Sequence, residues 1–117
     1  MGFYENLIVY RKAQELAVYF ENTVRGFDRY HKYTVGTELR NLSRRICVLV
    51  ALANTKTRRL DALSEALDKL EELKILLRIC FEMKAFRSFK SFEYSTKLTV
   101  DVAKQCEGWL KSQNSGG

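Results

Sequence analysis

The complete absence of proline is the feature that most constrains what this chain can fold into. None of its 117 residues is proline. Helix interiors exclude proline because it lacks an amide hydrogen and clashes with the preceding turn, whereas turn-rich β folds use it in their connections. Hydrophobic residues make up 46% and charged residues 29%, which is typical of a folded domain rather than a disordered chain. We therefore expect an all-α protein with one domain and one core.

The spacing of apolar residues predicts four helices. In each one they recur at steps of three and four, which places them on one face of a helix. The four stripes are Val9, Ala13, Leu16, Phe20 and Val24; then Val35, Leu39, Leu42, Ile46, Leu49 and Ala53; then Leu60, Leu63, Leu67, Leu70, Leu73, Leu77 and Cys80; and finally Tyr94, Leu98, Val102, Cys106 and Trp109. Polar or irregular segments around residues 26–32, 54–55 and 85–89 separate them.

Four amphipathic helices with short connections bury their apolar faces most economically by packing antiparallel around a common core. We therefore predict an antiparallel up-down four-helix bundle over residues 1–112, followed by a disordered tail over residues 113–117. Thr57 is the predicted N-cap of the third helix, and Ser88 or Ser91 that of the fourth.

Motifs for catalysis and metal binding are missing from the sequence. It has no glycine-rich phosphate loop, nucleophile elbow or HExxH motif, and His31 is its single histidine. Asp61, Glu65, Asp68 and Glu72 share a helix face, but a ferritin-type site also needs Glu-x-x-His motifs on facing helices. We interpret them as a solvated face or a contact for basic neighbours. The expectation is a protein that is not an enzyme and has no cofactor or metal.

Cysteine usage and the N-terminus indicate a cytoplasmic protein. Cys47, Cys80 and Cys106 are odd in number and lie within apolar helical patterns, so we expect buried free thiols. No apolar run approaches the roughly 20 residues that span a bilayer. The N-terminus lacks the features of a secretory signal.

Net charge favours an anionic partner. The chain has a formal charge of +6 and a pI near 9.3. Basic residues cluster on the second predicted helix and in the connection that follows. The cluster consists of Arg40, Arg44, Arg45, Arg58 and Arg59. Nucleic-acid contact and plain solvation both remain open for it.

Lys74 and Arg78 are set in the apolar run of the third helix, among residues 73–79. A helix that is apolar on more than one face has surface to bury outside its own bundle. This pattern predicts self-association through the spare apolar face, and docking of an acidic or phosphate-bearing partner on the two cations.

Three long stretches of the sequence resemble the accessory variability determinant (Avd) proteins of diversity-generating retroelements. They span residues 38–54, 63–83 and 89–112. The most specific parts are Glu38-Leu39-Arg40, the Leu-Lys-x-x-x-Arg run that holds Lys74 and Arg78, and the closing Gly-Trp-Leu-Lys at residues 108–111. Related four-helix-bundle proteins are encoded in intervening sequences of bacterial ribosomal RNA genes. Those relatives carry a Pro-Ser-Asn-Ile-Ala-Glu-Gly-like segment where this chain has residues 48–54, which favours the retroelement branch.

The resemblance implies a homopentameric barrel with a basic surface that binds the element's reverse transcriptase and associates with RNA or DNA. Such proteins support the mutagenic copying of a template RNA into cDNA without being the polymerase. By resemblance, Lys74 and Arg78 face the reverse transcriptase or its RNA, whereas the five-arginine cluster is inferred from charge alone. The alternative is a stand-alone bundle of the ribosomal-intervening-sequence type that interacts with other partners and has no reverse transcriptase.

Overall fold

The computed structural model describes residues 3–115, with side chains for residues 7–113, and confirms an all-helical fold over that range. Along the chain the helices are α1 (Phe3–Arg25), α2 (Arg29–Tyr33), α3 (Val35–Leu52), α4 (Arg59–Glu82) and α5 (Phe89–Ser115), with a 3-10 turn at Lys56–Arg58. No strand occurs among the described residues. Residues 113–115, which the sequence analysis places in a disordered tail, continue α5, while residues 116 and 117 lie outside the described range.

The four long helices pack side by side in a closed cycle. Helix α1 contacts α3 and α5, and α4 contacts the same two helices from the other side. Helices α1 and α5 run antiparallel: Lys12 of α1 pairs with Asp101 of α5, and further along α1 the Tyr19 hydroxyl reaches Ser91, earlier in α5. The resulting body measures 48 × 20 × 20 Å.

The apolar stripes form the core between these helices. All five stripe residues of α1 are at most 1% exposed. Leu60 and Tyr94 depart from the prediction, at 49% and 43% exposure. A repeat of seven residues drifts around a helix of 3.6 residues per turn, so the ends of a long stripe rotate out of the core. Leu60 shows this drift, while Tyr94 stays at the edge and packs its ring on Tyr19 at 4.9 Å between centroids.

Two of the predicted helix starts have different outcomes. Ser88 caps α5 as predicted, because its hydroxyl accepts the Ser91 amide hydrogen at 3.1 Å. The Thr57 cap is wrong. Thr57 lies within the 3-10 turn, and α4 begins after Arg58 without a side-chain cap.

The segment predicted as a polar break between the first two helices contains the short helix α2. Its start is fixed by Asp28, whose carboxylate accepts the His31 amide hydrogen at 3.0 Å, and its end by Thr34, whose hydroxyl donates to the Tyr30 carbonyl at 2.8 Å. No residue of α2 is buried. The helix therefore lies on the outside, at one end of the bundle.

Candidate partner-binding surfaces

Among the described side chains, Lys74 and Arg78 of α4 pair only within their own helix. Lys74 Nζ is 2.8 Å from a Glu71 carboxylate oxygen, and Arg78 Nε is 3.5 Å from Glu82. The Arg78 side chain is 70% exposed. Exposed ion pairs of this kind contribute little to stability, so a partner can take over either cation at small cost.

Exposed apolar side chains follow directly after these two cations. Ile75 is 63% exposed and Ile79 47%. Lys74 lies about 100° around the helix from Ile75 and about 140° from Ile79, whereas Arg78, three residues after Ile75, lies only about 60° from it. The two cations and the two isoleucines therefore occupy adjacent surfaces of α4.

The isoleucines line a groove between α3 and α4, with a volume of about 540 Å³. Half-buried Leu42 and Leu76 form its floor. Its remaining lining is polar and of mixed charge: Glu38, Asn41, Arg45, Lys69 and Glu72. We call this surface the α3–α4 groove. It is the spare apolar face that the sequence predicts.

Arg40 and Arg44 both face one carboxylate of α1. Arg44 donates a hydrogen bond of 2.7 Å to Glu21, and Arg40 Nε lies 3.5 Å from the same oxygen. The Arg44 hydrogen bond is the main reason why the pKa of Glu21 is lowered. These arginines therefore join α3 to α1, and Glu21 offsets part of the charge that they offer to a phosphate.

Arg45 points to the other side of α3, where it pairs with Glu65 of α4 at 3.3 Å. Glu72 pairs with Lys69 at 3.3 Å. Glu65 and Glu72, two of the four acidic residues predicted to share a face of α4, thus contact basic neighbours. Within the described part of the chain, no group of three His, Cys, Asp or Glu side chains is placed to hold a metal ion.

Arg58 and Arg59 are adjacent in sequence but differ in their surroundings. Arg58 is exposed. Arg59 is half-buried and donates to the carbonyl of Ala53 at 2.8 Å, to that of Asn54 at 3.2 Å and to the Gln113 side chain at 3.2 Å. Its guanidinium also lies 5.3 Å from the centre of the Trp109 ring. Arg59 is therefore occupied within the fold, where it satisfies the free carbonyls at the end of α3.

The seven predicted site residues do not form one basic patch. Arg40 and Arg44 lie toward α1, and Arg45 lies toward α4. Arg58 is at the start of α4, about 24 Å along the helix from Lys74. Lys74 and Arg78 form a separate pair that is not part of the α3–α4 groove.

A basic and aromatic surface at the α2 end of the bundle was missed by the sequence analysis. It comprises residues 25–34 and 83–90, and we call it the α2 end. Its signal is the alternation Arg29-Tyr30-His31-Lys32-Tyr33, in which cationic and aromatic residues are interleaved. In the sequence this segment was interpreted only as a break between helices.

The three cysteines are free thiols, as predicted. Cys80 and Cys106 are buried, and burial raises the pKa of each thiol to about 12. Cys47 is half-buried, and the same cause raises the pKa of its thiol. Cys80 and Cys106 are therefore small apolar core residues, as predicted, whereas Cys47 departs from the prediction of burial.

No protein-family model matches the chain, and neither a curated protein nor a solved structure is significantly similar to it. None of the described helices is long and apolar enough to cross a membrane. The assignment of function therefore depends on the motifs of the sequence and on the surfaces described above.

Proposed function

We propose that this chain is a non-catalytic accessory protein of a diversity-generating retroelement, which binds the element's reverse transcriptase and its template RNA. The observation that carries the proposal is the surface of α4. There Lys74 and Arg78 of the Leu-Lys-x-x-x-Arg motif, with side chains 35% and 70% exposed, lie outside the α3–α4 groove, to which Ile75 and Ile79 contribute an exposed apolar surface. A helix with two such surfaces can contact two different partners at the same time.

We assign the cationic pair to the reverse transcriptase or the RNA that it holds. Within the described part of the chain both cations pair only with carboxylates of their own helix, so a carboxylate or phosphate of the partner can replace Glu71 or Glu82. Arg78 adds the planar donor group that binds either anion through two hydrogen bonds. The net charge of +6 speeds the encounter with RNA.

We assign the α3–α4 groove to assembly of copies of this chain. In this proposal the chain is an up-down four-helix bundle that forms a ring of five, as the family resemblance implies. Fully burying an exposed isoleucine side chain contributes about 1.5–3 kcal/mol, and Ile75 and Ile79, which are 63% and 47% exposed, can supply about half of that value each. The charged residues of both signs around the groove determine how one copy aligns with the next, and they contribute little to the affinity between copies.

The proposed division of labour leaves catalysis to the reverse transcriptase. The residues of this chain bind both the enzyme and the template RNA. Holding the two close together raises the effective concentration of the RNA at the enzyme. A reverse transcriptase gene and a pair of near-identical repeats beside the gene for this chain would agree with that division.

The test is capture of the neighbouring reverse transcriptase on the purified, immobilised protein. The double variant Lys74→Ala/Arg78→Ala is expected to lose at least about tenfold in affinity, because each charge-assisted contact contributes about 1.5–3 kcal/mol. Folding and subunit number should not change, since both side chains are at the surface.

The matched control is Lys97→Ala/Lys104→Ala, which removes two exposed cations from α5. It is expected to capture the enzyme as the wild type does. Equal capture by the wild type and the Lys74→Ala/Arg78→Ala variant would refute the site. No capture by the wild type would refute the proposed function.

A further inference from the structure

We infer that the α2 end of the bundle binds single-stranded nucleic acid by stacking unpaired bases on exposed aromatic rings within a basic surface. The inference builds on the proposed function, because it states where and in what form the template RNA is held. It does not involve the reverse transcriptase, so the isolated protein can test it.

Exposed aromatic rings are the first observation. Tyr30 is 69% exposed, Tyr33 67% and Phe89 58%. Aromatic rings normally bury most of their surface, and an exposed ring offers a flat face to a ligand. No residue of α2 is buried, so Tyr30 and Tyr33 are not required for the core. Stacking of a base on such a ring is independent of base identity, because every base has a π face.

Unneutralised charge is the second observation. The α2 end carries six cations, namely Arg25, Arg29, Lys32, Lys84, Arg87 and Lys90. Asp28, the carboxylate within these two segments, caps α2 and contacts the His31 ring. Glu82 borders the same surface beside Lys84 and Arg87, and it pairs with Arg78. Among the described side chains none of the six cations forms a salt bridge, although Arg25 lies close enough to Glu21 to contribute to the lowered pKa of that carboxyl. By contrast, Arg44 and Arg45 on the flanks each face a glutamate.

The two segments of the α2 end are held together by tertiary contacts. Arg87 donates a hydrogen bond to the Gly26 carbonyl, and the rings of Phe27 and Phe86 pack edge to face at 5.4 Å. The Phe89 ring packs edge to face against the Phe81 ring, with 5.9 Å between their centroids. Tertiary contacts therefore hold the rings and cations in place on one surface. Binding a flexible strand to a preorganised surface costs less entropy than binding it to mobile segments.

The pattern of the rings favours a nucleic acid over a protein. A protein-docking site usually has a contiguous apolar centre with few charges. In α2, Arg29 and Lys32 alternate with Tyr30 and Tyr33, so each ring is flanked by a cation. This spacing suits a chain in which bases alternate with phosphates. Unpaired bases are needed, because a duplex hides the base faces in its own stack.

The experiment measures fluorescence anisotropy of a labelled oligouridine of about 15 nucleotides, a length within the range of known single-strand sites. A duplex of the same length is the comparison. The wild type is expected to bind the single strand more tightly than the duplex. Tyr30→Ala/Tyr33→Ala is expected to weaken single-strand binding by about 5- to 150-fold per ring that stacks a base.

Three further variants separate stacking from other effects. Tyr30→Phe/Tyr33→Phe keeps both rings and should bind within about twofold of the wild type. Val18→Ala, at an apolar side chain on α1 that is 55% exposed, should bind like the wild type. Arg29→Ala/Lys32→Ala should reduce the slope of log affinity against log salt by about 1.4, the value for two phosphate contacts on a single strand.

The outcomes distinguish this inference from the proposed function. Unchanged RNA affinity in Tyr30→Ala/Tyr33→Ala overturns the inference while leaving capture of the reverse transcriptase intact. The inference is also overturned, in favour of a protein-docking surface, if that variant retains RNA affinity but loses capture of the enzyme. Equal affinity of the wild type for duplex and single strand contradicts stacking. If the wild type binds neither, the nucleic-acid part of both proposals fails.

Discussion

At the scale of single residues, the two adjacent arginines of the α3–α4 connection show how far charge alone can mislead. Both look like phosphate contacts in the sequence. In the structure Arg59 donates to carbonyls at the end of α3 and to Gln113, which lies 54 residues away. That partner comes from the tertiary fold, so no local pattern could have indicated it.

We predict a clear difference in stability between the two arginine variants. Arg59→Ala should lower the free energy of unfolding by about 2 kcal/mol, because it leaves carbonyls without a donor and removes the cation over Trp109. Arg58→Ala should change it by no more than about 0.5 kcal/mol, as is usual at exposed positions. Urea denaturation followed by circular dichroism measures both. Equal midpoints for the two variants would contradict the role given to Arg59.

The arginines of α3 show the same limit of sequence-based prediction. Their number and sign were evident, and Arg40 and Arg44 were expected to share a face. Their common partner Glu21 was not foreseen, because it lies on another helix. The sequence therefore predicted the basic residues, but not which of them are neutralised. That distinction moves the candidate site for RNA from α3 to the α2 end.

At the scale of secondary-structure elements, two glycines within helices have opposite surroundings. Gly36 of α3 is buried, and a Cβ there would lie 2.6 Å from a Val24 methyl carbon and 2.9 Å from the His31 carbonyl oxygen. Gly108 of α5 is exposed, and a Cβ there would meet no atom within 4 Å. Gly36 therefore lets α1, α2 and α3 approach closely, whereas Gly108 has no such role within one chain.

These surroundings predict effects of opposite sign for the same substitution. Gly36→Ala should destabilise the protein by about 1–3 kcal/mol, because the added methyl group overpacks the contact with Val24 and α2. Gly108→Ala should stabilise it by about 0.5–1 kcal/mol, because alanine restricts the unfolded chain and favours a helix. Thermal unfolding of the two variants tests both. A stabilised Gly36→Ala protein would show that α3 does not pack as closely as described.

The long helices were predictable because their apolar residues repeat with the period of a helix, and burial follows that period in any bundle. The short elements were less predictable. Asp28 is a good capping residue, and its presence in the sequence was enough to predict the start of α2, which the sequence interpretation did not include. The start of α4 gave a misleading signal, since Thr57 is a good capping residue that the 3-10 turn leaves unused. Where a connection bends depends on tertiary contacts such as those of Arg59.

At the scale of the whole molecule, the surfaces matter more than the core. The body is 20 Å across in two directions, so every long helix has an outward face. On α4 that face carries two isoleucines where most bundles carry charges. A second copy is the occupant that the proposed function assigns to the α3–α4 groove. Ile75→Glu places a charge in that contact and should separate the copies, while Asn22→Glu adds the same charge at an exposed position of α1.

The most direct test is the mass of the purified protein in solution, measured by light scattering during size-exclusion chromatography at physiological salt. The chain has a mass of 13.6 kDa. We expect a particle of about five times that mass for the wild type and for Asn22→Glu, and a smaller particle for Ile75→Glu that keeps its helical circular dichroism. A wild-type protein that elutes with the mass of a single chain would refute assembly through the α3–α4 groove.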